Sequence, residues 1–81
     1  MNLKIIAFGI AKDIVGGSTL ELELTSAQPT VQELKEKLAL DFPPFKDLRS
    51  FAIAVNEEYA NDQQTLSSSD EVVIIPPVSG G

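Results

Sequence analysis

The sequence contains no cysteine, no histidine and no tryptophan, and these absences exclude several kinds of chemistry. Without cysteine there is no disulfide framework, no thiolate nucleophile and no cysteine-based zinc or iron–sulfur site. Without histidine there is no imidazole to act as a base or as a metal ligand. Only carboxylates, amines, hydroxyls and the chain termini remain for chemistry.

Positive charge is also scarce, because 6 lysines and arginines stand against 12 aspartates and glutamates, for a net charge of -6. Such a balance repels phosphate backbones and anionic lipid, so we expect neither nucleic acid nor a membrane as partner. No apolar run approaches the ~18 residues of a membrane span. Residues 5–11 are apolar but lack a signal-peptide cleavage site, and we therefore expect a cytoplasmic protein.

The short length limits what the chain is able to do alone. Its 81 residues fall below the usual ~100–150 of a domain, so we predict one β-rich domain over residues 1–75 and a tail over 76–81. A domain of this size buries only roughly 60–65% of its unfolded surface, which disfavours a deep private pocket. The chain also lacks an acid, base or metal constellation, and we predict a carrier or binding module without catalytic residues of its own.

The first third of the chain predicts two strands. Residues 3–8 are apolar on both faces apart from Lys4, which is typical of a central strand covered on both sides. Residues 10–15 are too short a run to predict a helix, and Gly16-Gly17 supplies a turn. Residues 18–25 alternate leucine with glutamate, which predicts a half-buried edge strand that pairs with the first strand like a hairpin.

The middle of the chain predicts one helix that begins at Val31. Thr30 is a typical N-cap, Glu33 completes a capping box, and the prolines at 43–44 end the helix. Glu33 and Lys37 have the spacing of an exposed i,i+4 ion pair. One apolar stripe runs along the helix, formed by Val31, Leu34, Leu38 and Phe42.

The last third predicts further strands at residues 50–56 and 71–75, with a short edge strand at Tyr59-Ala60 between them. The last strand is apolar on both faces, so we expect it at the centre of the sheet. The order of elements favours an α+β fold of the β-grasp (ubiquitin-like) class, in which the first and last strands lie parallel in the middle. This fold has a mixed sheet of four to five strands and one main helix on one face; another small α+β sheet is the alternative.

Most polar motifs have an ordinary structural explanation. The carboxylates of Glu57-Glu58 and Asp70-Glu71 fit solvated turns, because neighbours in an extended chain point apart. Gly16-Gly17 lacks the spacing of a phosphate-binding loop. Lys12 and Arg49 are typical solubility charges, and we retain Lys12 as a candidate contact to a partner.

The C-terminus is different from the rest of the chain. Ten uncharged residues follow Glu71, and the sequence ends Pro76-Pro77-Val78-Ser79-Gly80-Gly81. Two prolines favour an extended path, and six residues beyond Ile75 reach at most ~20 Å. Two glycines leave the terminal carboxylate without a neighbouring Cβ, so a narrow channel would fit around the backbone. A frayed tail is the alternative explanation.

Several segments together resemble the small, sulfur-carrier subunit of molybdopterin synthase. They are residues 8–16 (FGIAKDIVG), the helix start at Thr30-Val31, residues 54–57 (AVNE) and above all residues 70–81 (DEVVIIPPVSGG). The resemblance covers the whole chain and implies the β-grasp fold. The sequence departs from the family pattern in two places, because Lys12 stands where arginine is common and Ser68-Ser69 stand where Asp-Gly is common.

The resemblance implies a reaction cycle at Gly81. A partner adenylyltransferase would use ATP to adenylate Gly81, and a sulfur donor protein would convert the adenylate to a thiocarboxylate. The carrier itself would bind no cofactor. The tail, from Pro76 through Pro77, Val78 and Ser79 to Gly80, would thread into the large synthase subunit, in a heterotetramer of two small and two large subunits. Sulfur would pass there to the cyclic pyranopterin precursor of the molybdenum cofactor.

Some apolar residues of the first and last strands should form a docking surface for the large subunit. Phe8, Val73 and Ile75 cannot all lie beneath one helix, so some of them should emerge on the uncovered sheet face and contact the large subunit together with Lys12. The alternative functions are a ubiquitin-like protein modifier, a sulfur carrier for thiamine or tRNA, and a non-covalent interaction domain.

Overall fold

The computed structural model describes residues 1–47 and 51–76. Predictions that fall on Arg49, on residue 50 and on residues 77–81 lie outside the described residues. The strands are β1 (Asn2–Ala7), β2 (Thr19–Glu23), β3 (Ala52–Val55), β4 (Glu58–Tyr59) and β5 (Val72–Ile75). The helices are α1 (Gly9–Val15) and α2 (Val31–Asp41), followed by a 3-10 helix at Pro43–Asp47.

The five strands form one mixed sheet in the order β2-β1-β5-β3-β4. β1 runs parallel to β5, whereas β1 with β2, β5 with β3 and β3 with β4 pair antiparallel. The parallel pair of first and last strands lies inside the sheet, and the fold is the predicted β-grasp. β5 is the central strand, with two strands on each side.

α2 covers one face of the sheet and closes the core. Each strand contributes alternate residues to this face, because side chains of a strand point to opposite sides. Phe45 of the 3-10 helix is a core residue that the sequence pattern did not predict, and it is only 1% exposed. The core residues without any exposure are Ile5, Ala11, Val31, Leu34, Leu38, Ile53, Val72 and Ile74. In the described parts of the chain, neither helix has the length and apolar character needed to cross a membrane.

The start of α2 is confirmed, but its predicted ion pair is wrong. Thr30 has an extended backbone, and its hydroxyl accepts a hydrogen bond from the Glu33 N–H at 3.3 Å. Such a cap contributes about 1 kcal/mol to helix stability. Lys37 pairs with Asp41 at 3.3 Å, one turn further on, and not with Glu33. The helix ends at Asp41, two residues before the prolines, and Phe42 at its C-cap is half-buried.

Two predictions about the first strands need correction. β1 is not covered on both sides, because Leu3, Ile5 and Ala7 are buried whereas Lys4 is exposed and Ile6 half-buried. β1 and β2 pair antiparallel, as the hairpin-like prediction requires. Their connection, however, contains α1, a helix that the short run at residues 10–15 did not predict. α1 is only seven residues long, and its C-cap is Gly16, whose φ of 84° lies in the left-handed region that favours glycine.

The turn between β3 and β4 has an unusual backbone. Asn56 and Glu57 both have positive φ, at 53° and 73°. Positive φ at both central positions is the requirement of a tight type I′ hairpin turn, for which Asn-Gly is the preferred pair. Asparagine tolerates this conformation, but glutamate does not, because its Cβ approaches the backbone. Glu57 is therefore a point of local strain.

We predict that Glu57→Gly raises the free energy of unfolding by about 0.5–1 kcal/mol, because glycine removes the strain of a left-handed residue but adds chain entropy to the unfolded state. Urea unfolding of the two proteins measures the difference. Glu57→Ala is the matched control, since it removes the same carboxylate and keeps the Cβ. Equal stability of the glycine and alanine variants would contradict strain at this position.

Candidate docking face and tail root

The sheet face opposite α2 has no covering element among the described residues, and we call it the open face. The strand registers order its side chains into rows that cross the sheet. The middle row joins Ile6 to Val73 across β1 and β5, Val73 to Ala54 across β3, and Ala54 to Tyr59 across β4. Thr19 of β2 lies at the other end, opposite Ile6. An apolar row therefore spans the sheet from β1 to its β4 edge.

The row next to the tail is apolar as well. Ile75 lies opposite Ala52 of β3, and both are half-buried. Phe8 follows β1 with an extended backbone, so its side chain points to the same side as Ile6. Phe8 is 55% exposed, which is a large exposure for a phenylalanine beside a sheet. Ile10, at the start of α1, is 48% exposed and extends the apolar surface around the tail root.

The row on the side of the middle row away from the tail is polar. Lys4 lies opposite Glu21 of β2, and continuing the β1–β5 register by one residue brings Glu71 to its other side. Asn56 ends this row, since its N–H donates to the carbonyl oxygen of Glu71 at 2.8 Å. The open face thus changes from charged to apolar toward the end of β5. A partner that buries apolar surface would dock near the tail root.

The tail root is Pro76, the last described residue. It follows Ile75 directly and is half-buried. Gly9 supports it: a Cβ built on Gly9 would lie 3.6 Å from the Pro76 Cγ, so the ring packs close to the backbone of α1. Whatever follows Pro76 therefore starts from the middle of the sheet, beside Phe8.

The structure brings most of the predicted interface residues together. Phe8, Val73 and Ile75 share the open face, and Lys12 is exposed on α1. Pro77, Val78, Ser79, Gly80 and Gly81 lie outside the described residues. The assignment of these residues to an interface and to a reactive tail stays a prediction.

Sequence reasoning missed two members of the open face, Ile6 and Tyr59. Tyr59 is 75% exposed and stands at the edge of the sheet. Period-two alternation from Leu3 would have placed Ile6 on the open face. No such alternation exists for Tyr59. The sheet face on which Tyr59 lies depends on the pairing of β4 with β3, and no local sequence pattern predicts this pairing.

The exposed apolar side chains of the open face make this surface suited to binding. Among residues 1–47 and 51–76, no group of three acidic residues lies close enough together to hold a metal ion. An apolar face next to the end of the central strand is suited to docking on another protein.

Fold and sequence together define a ubiquitin-like β-grasp domain that continues from its central strand into a Gly-Gly terminus. The profile of the ThiS family matches residues 5–81, and a relative that aligns with the whole chain is 37% identical to it. The chain belongs to this family, in the group of molybdopterin synthase sulfur carrier subunits.

Three similar proteins illustrate the likeness. The molybdopterin synthase sulfur carrier subunit of Arabidopsis thaliana is 37% identical over 82 residues, which cover 100% of this chain and 84% of the relative. The putative molybdopterin converting factor subunit 1 of Pyrococcus furiosus superposes with a TM-score of 0.85 at 25% identity, covering 96% and 99% of the two chains. SAMP1 of Haloferax volcanii has the same fold, with a TM-score of 0.81 at 20% identity and full coverage of both chains.

Proposed function

We propose that this protein is the sulfur carrier of a molybdopterin synthase and that Gly81 carries the sulfur as a thiocarboxylate. The observation that supports this most strongly is the Gly-Gly terminus that follows the central strand of a β-grasp domain, in a chain 37% identical to a molybdopterin synthase sulfur carrier subunit. The sequence around this terminus has no charge after Glu71. It therefore suits an apolar or neutral channel in a partner protein.

A free carboxylate needs activation before it accepts sulfur. With a pKa of about 3.5, a C-terminal carboxylate is anionic at neutral pH and resists attack by nucleophiles. A partner adenylyltransferase overcomes this by joining a carboxylate oxygen of Gly81 to the α-phosphorus of ATP, with release of pyrophosphate. A donor that supplies sulfur at the oxidation level of sulfide then attacks the carbonyl carbon and displaces AMP. The product is a thiocarboxylate at Gly81.

The carrier's own contribution is access and docking. Glycine at positions 80 and 81 leaves the carbonyl carbon open to the incoming nucleophile, because no side chain stands beside it. The open face docks on the large synthase subunit, and Phe8 and Ile75 lie next to the tail root. One docking event then buries the apolar surface and delivers Gly81 to the catalytic residues of that subunit. Sulfur passes to the pyranopterin precursor there, and water restores the carboxylate.

We predict that incubation with ATP, the adenylyltransferase and a sulfide source adds about 16 Da to the C-terminal peptide, because sulfur replaces one oxygen. Intact-protein and peptide mass spectrometry measure this change. A variant that ends at Ser79 is the control, and it should stay unmodified while still binding the large subunit through the open face. A sulfur adduct on an internal residue, with Gly81 unchanged, would contradict the proposal. Isopeptide-linked conjugates without a thiocarboxylate would instead favour a protein modifier.

We predict that Gly80→Phe abolishes sulfur transfer without changing the thermal midpoint. A phenylalanine would clash with a channel shaped for backbone alone, whereas Gly80 has no side chain to contribute to the core. Synthase turnover and the Tm are measured in parallel, with Gly80→Ala as a control of intermediate size that should lose less activity. Full activity of Gly80→Phe would show that the channel does not select for glycine.

We predict that Phe8→Ser weakens binding to the large subunit by more than about tenfold, the loss expected when a hot-spot residue of an interface is truncated. The Tm should change much less, because Phe8 is 55% exposed in the free domain. Leu40→Ser is the matched control: Leu40 is also an exposed apolar residue, at 71%, but lies on α2 behind the sheet. If Phe8→Ser unfolds the domain, or binds as tightly as the Leu40 variant, the open face is not the docking surface.

A further inference from the structure

We infer that Asn56 is a positioning residue, whose side chain holds the edge strand β4 against the sheet and thereby presents Tyr59 at the far end of the middle row. The inference rests on the proposed function in one respect, since the partner that contacts Tyr59 is taken to be the large synthase subunit. The effect of Asn56 on β4 concerns the free protein and is independent of any partner.

The side-chain amide of Asn56 joins two turns. Its Oδ1 accepts a hydrogen bond from the Glu71 N–H at 2.9 Å, and its Nδ2 donates to Asp70 Oδ1 at 3.0 Å. The other oxygen of that carboxylate, Asp70 Oδ2, accepts from the Ser67 N–H at 2.8 Å. The backbone N–H of Asn56 donates to the Glu71 carbonyl oxygen at 2.8 Å. The β3–β4 turn is thus fastened to the segment that enters the central strand.

β4 has little else to hold it. It is two residues long, both residues are exposed, and it pairs with β3 alone. One further backbone bond, from the Ala60 N–H to the Ile53 carbonyl oxygen at 2.9 Å, follows it. Segments with few buried contacts and exposed hydrogen bonds open at low cost. The strained φ of 73° at Glu57 adds to this tendency, so the turn needs an anchor.

The position of Tyr59 depends on β4. Its ring is 75% exposed, so no packing fixes it in the free domain, and only the pairing with Ala54 sets the face on which it lies. Tyrosine is a frequent anchor of protein interfaces, since it combines a large apolar ring with a hydroxyl. Without the hydrogen bonds of the Asn56 side chain, β4 would no longer hold Tyr59 on the open face. The partner would then have to order the strand during binding, which lowers affinity.

Exchanging the side chains of Asn56 and Asp70 distinguishes the positioning of β4 from a general effect on the stability of the domain. Asn56→Asp places a second carboxylate 3.0 Å from Asp70 and replaces the donor with an acceptor. The double variant Asn56→Asp with Asp70→Asn restores all three side-chain hydrogen bonds. The new amide at position 70 donates to the carboxylate at position 56 and accepts from the Ser67 N–H. The carboxylate at position 56 accepts from the Glu71 N–H. The single variant Asp70→Asn is measured as well, so that the four proteins complete a cycle.

The first measurement is amide hydrogen exchange in the free protein. We expect Asn56→Asp to raise the exchange rate of the Ala60 N–H by about tenfold or more, and the double variant to return it close to wild type. The Ala7 N–H, which donates to the Ser18 carbonyl oxygen at 2.9 Å, is the control and should change little. An equal rise at both amides, or no rescue in the double variant, would overturn the inference.

The second measurement is the Kd for the large subunit, with and without Tyr59→Ala. We expect Asn56→Asp to weaken binding about fivefold to tenfold when Tyr59 is present. In the Tyr59→Ala background the loss should be less than about twofold, because both changes remove the same contribution, the contact of Tyr59 with the partner. Equal losses in both backgrounds would mean that Asn56 does not act through Tyr59. If the wild-type protein itself fails to bind the large subunit, the proposed function is wrong, and the exchange of the Ala60 N–H alone decides whether Asn56 holds β4.

Discussion

The insertion of β5 between β1 and β3 is the constraint on which the rest of the structure depends. β5 is parallel to one neighbour and antiparallel to the other, so its backbone groups are paired on both sides. Val72 and Ile74 reach the core with no exposure, and this burial fixes the side on which Val73 and Ile75 lie. The chain segment after Ile75 therefore starts from the most restrained part of the sheet. A chain segment that begins there has a fixed origin in the sheet.

Charged and apolar side chains are separated on the open face. The middle row and the tail row are apolar, whereas the row that contains Lys4 and Glu21 is polar. The net charge of -6 makes copies of the chain repel one another, which opposes self-association of an exposed apolar face. A partner with complementary charge would not meet this repulsion. Under the proposed function, the same acidic composition would also oppose self-association through the open face while the carrier is free.

The sequence predicted the features that depend on neighbouring residues. It did not predict the features that depend on contacts between distant segments or on function. The start of α2 was predicted correctly because Thr30 and Glu33 carry the signal within four residues. The partner of Lys37 was not, because Glu33 and Asp41 both stand four residues away and only the fold selects between them. Phe45 follows two prolines in a segment without hydrophobic periodicity, so the sequence did not predict its burial. β1 was taken for a strand covered on both sides because Ile6 and Phe8 are as apolar as core residues. Under the proposed function that error has a functional cause, since a surface that is apolar because it binds a partner has the same pattern as a core.

The small residues on the open face explain how one surface would serve more than one partner. A carrier loaded by one protein and unloaded by another must meet both through the end of β5, because residues after Ile75 extend at most ~20 Å from the sheet. Ala52 and Ala54 form a flat floor beside Ile75 and Val73, and a flat floor accepts apolar side chains of many shapes. Larger side chains stand at the two ends, Phe8 beside the rigid tail root and Tyr59 on the edge strand. Under the proposed function, every partner would have to reach Gly81 and would therefore contact the end of the open face at Phe8. Contacts near Phe8 would then contribute most to discrimination between partners.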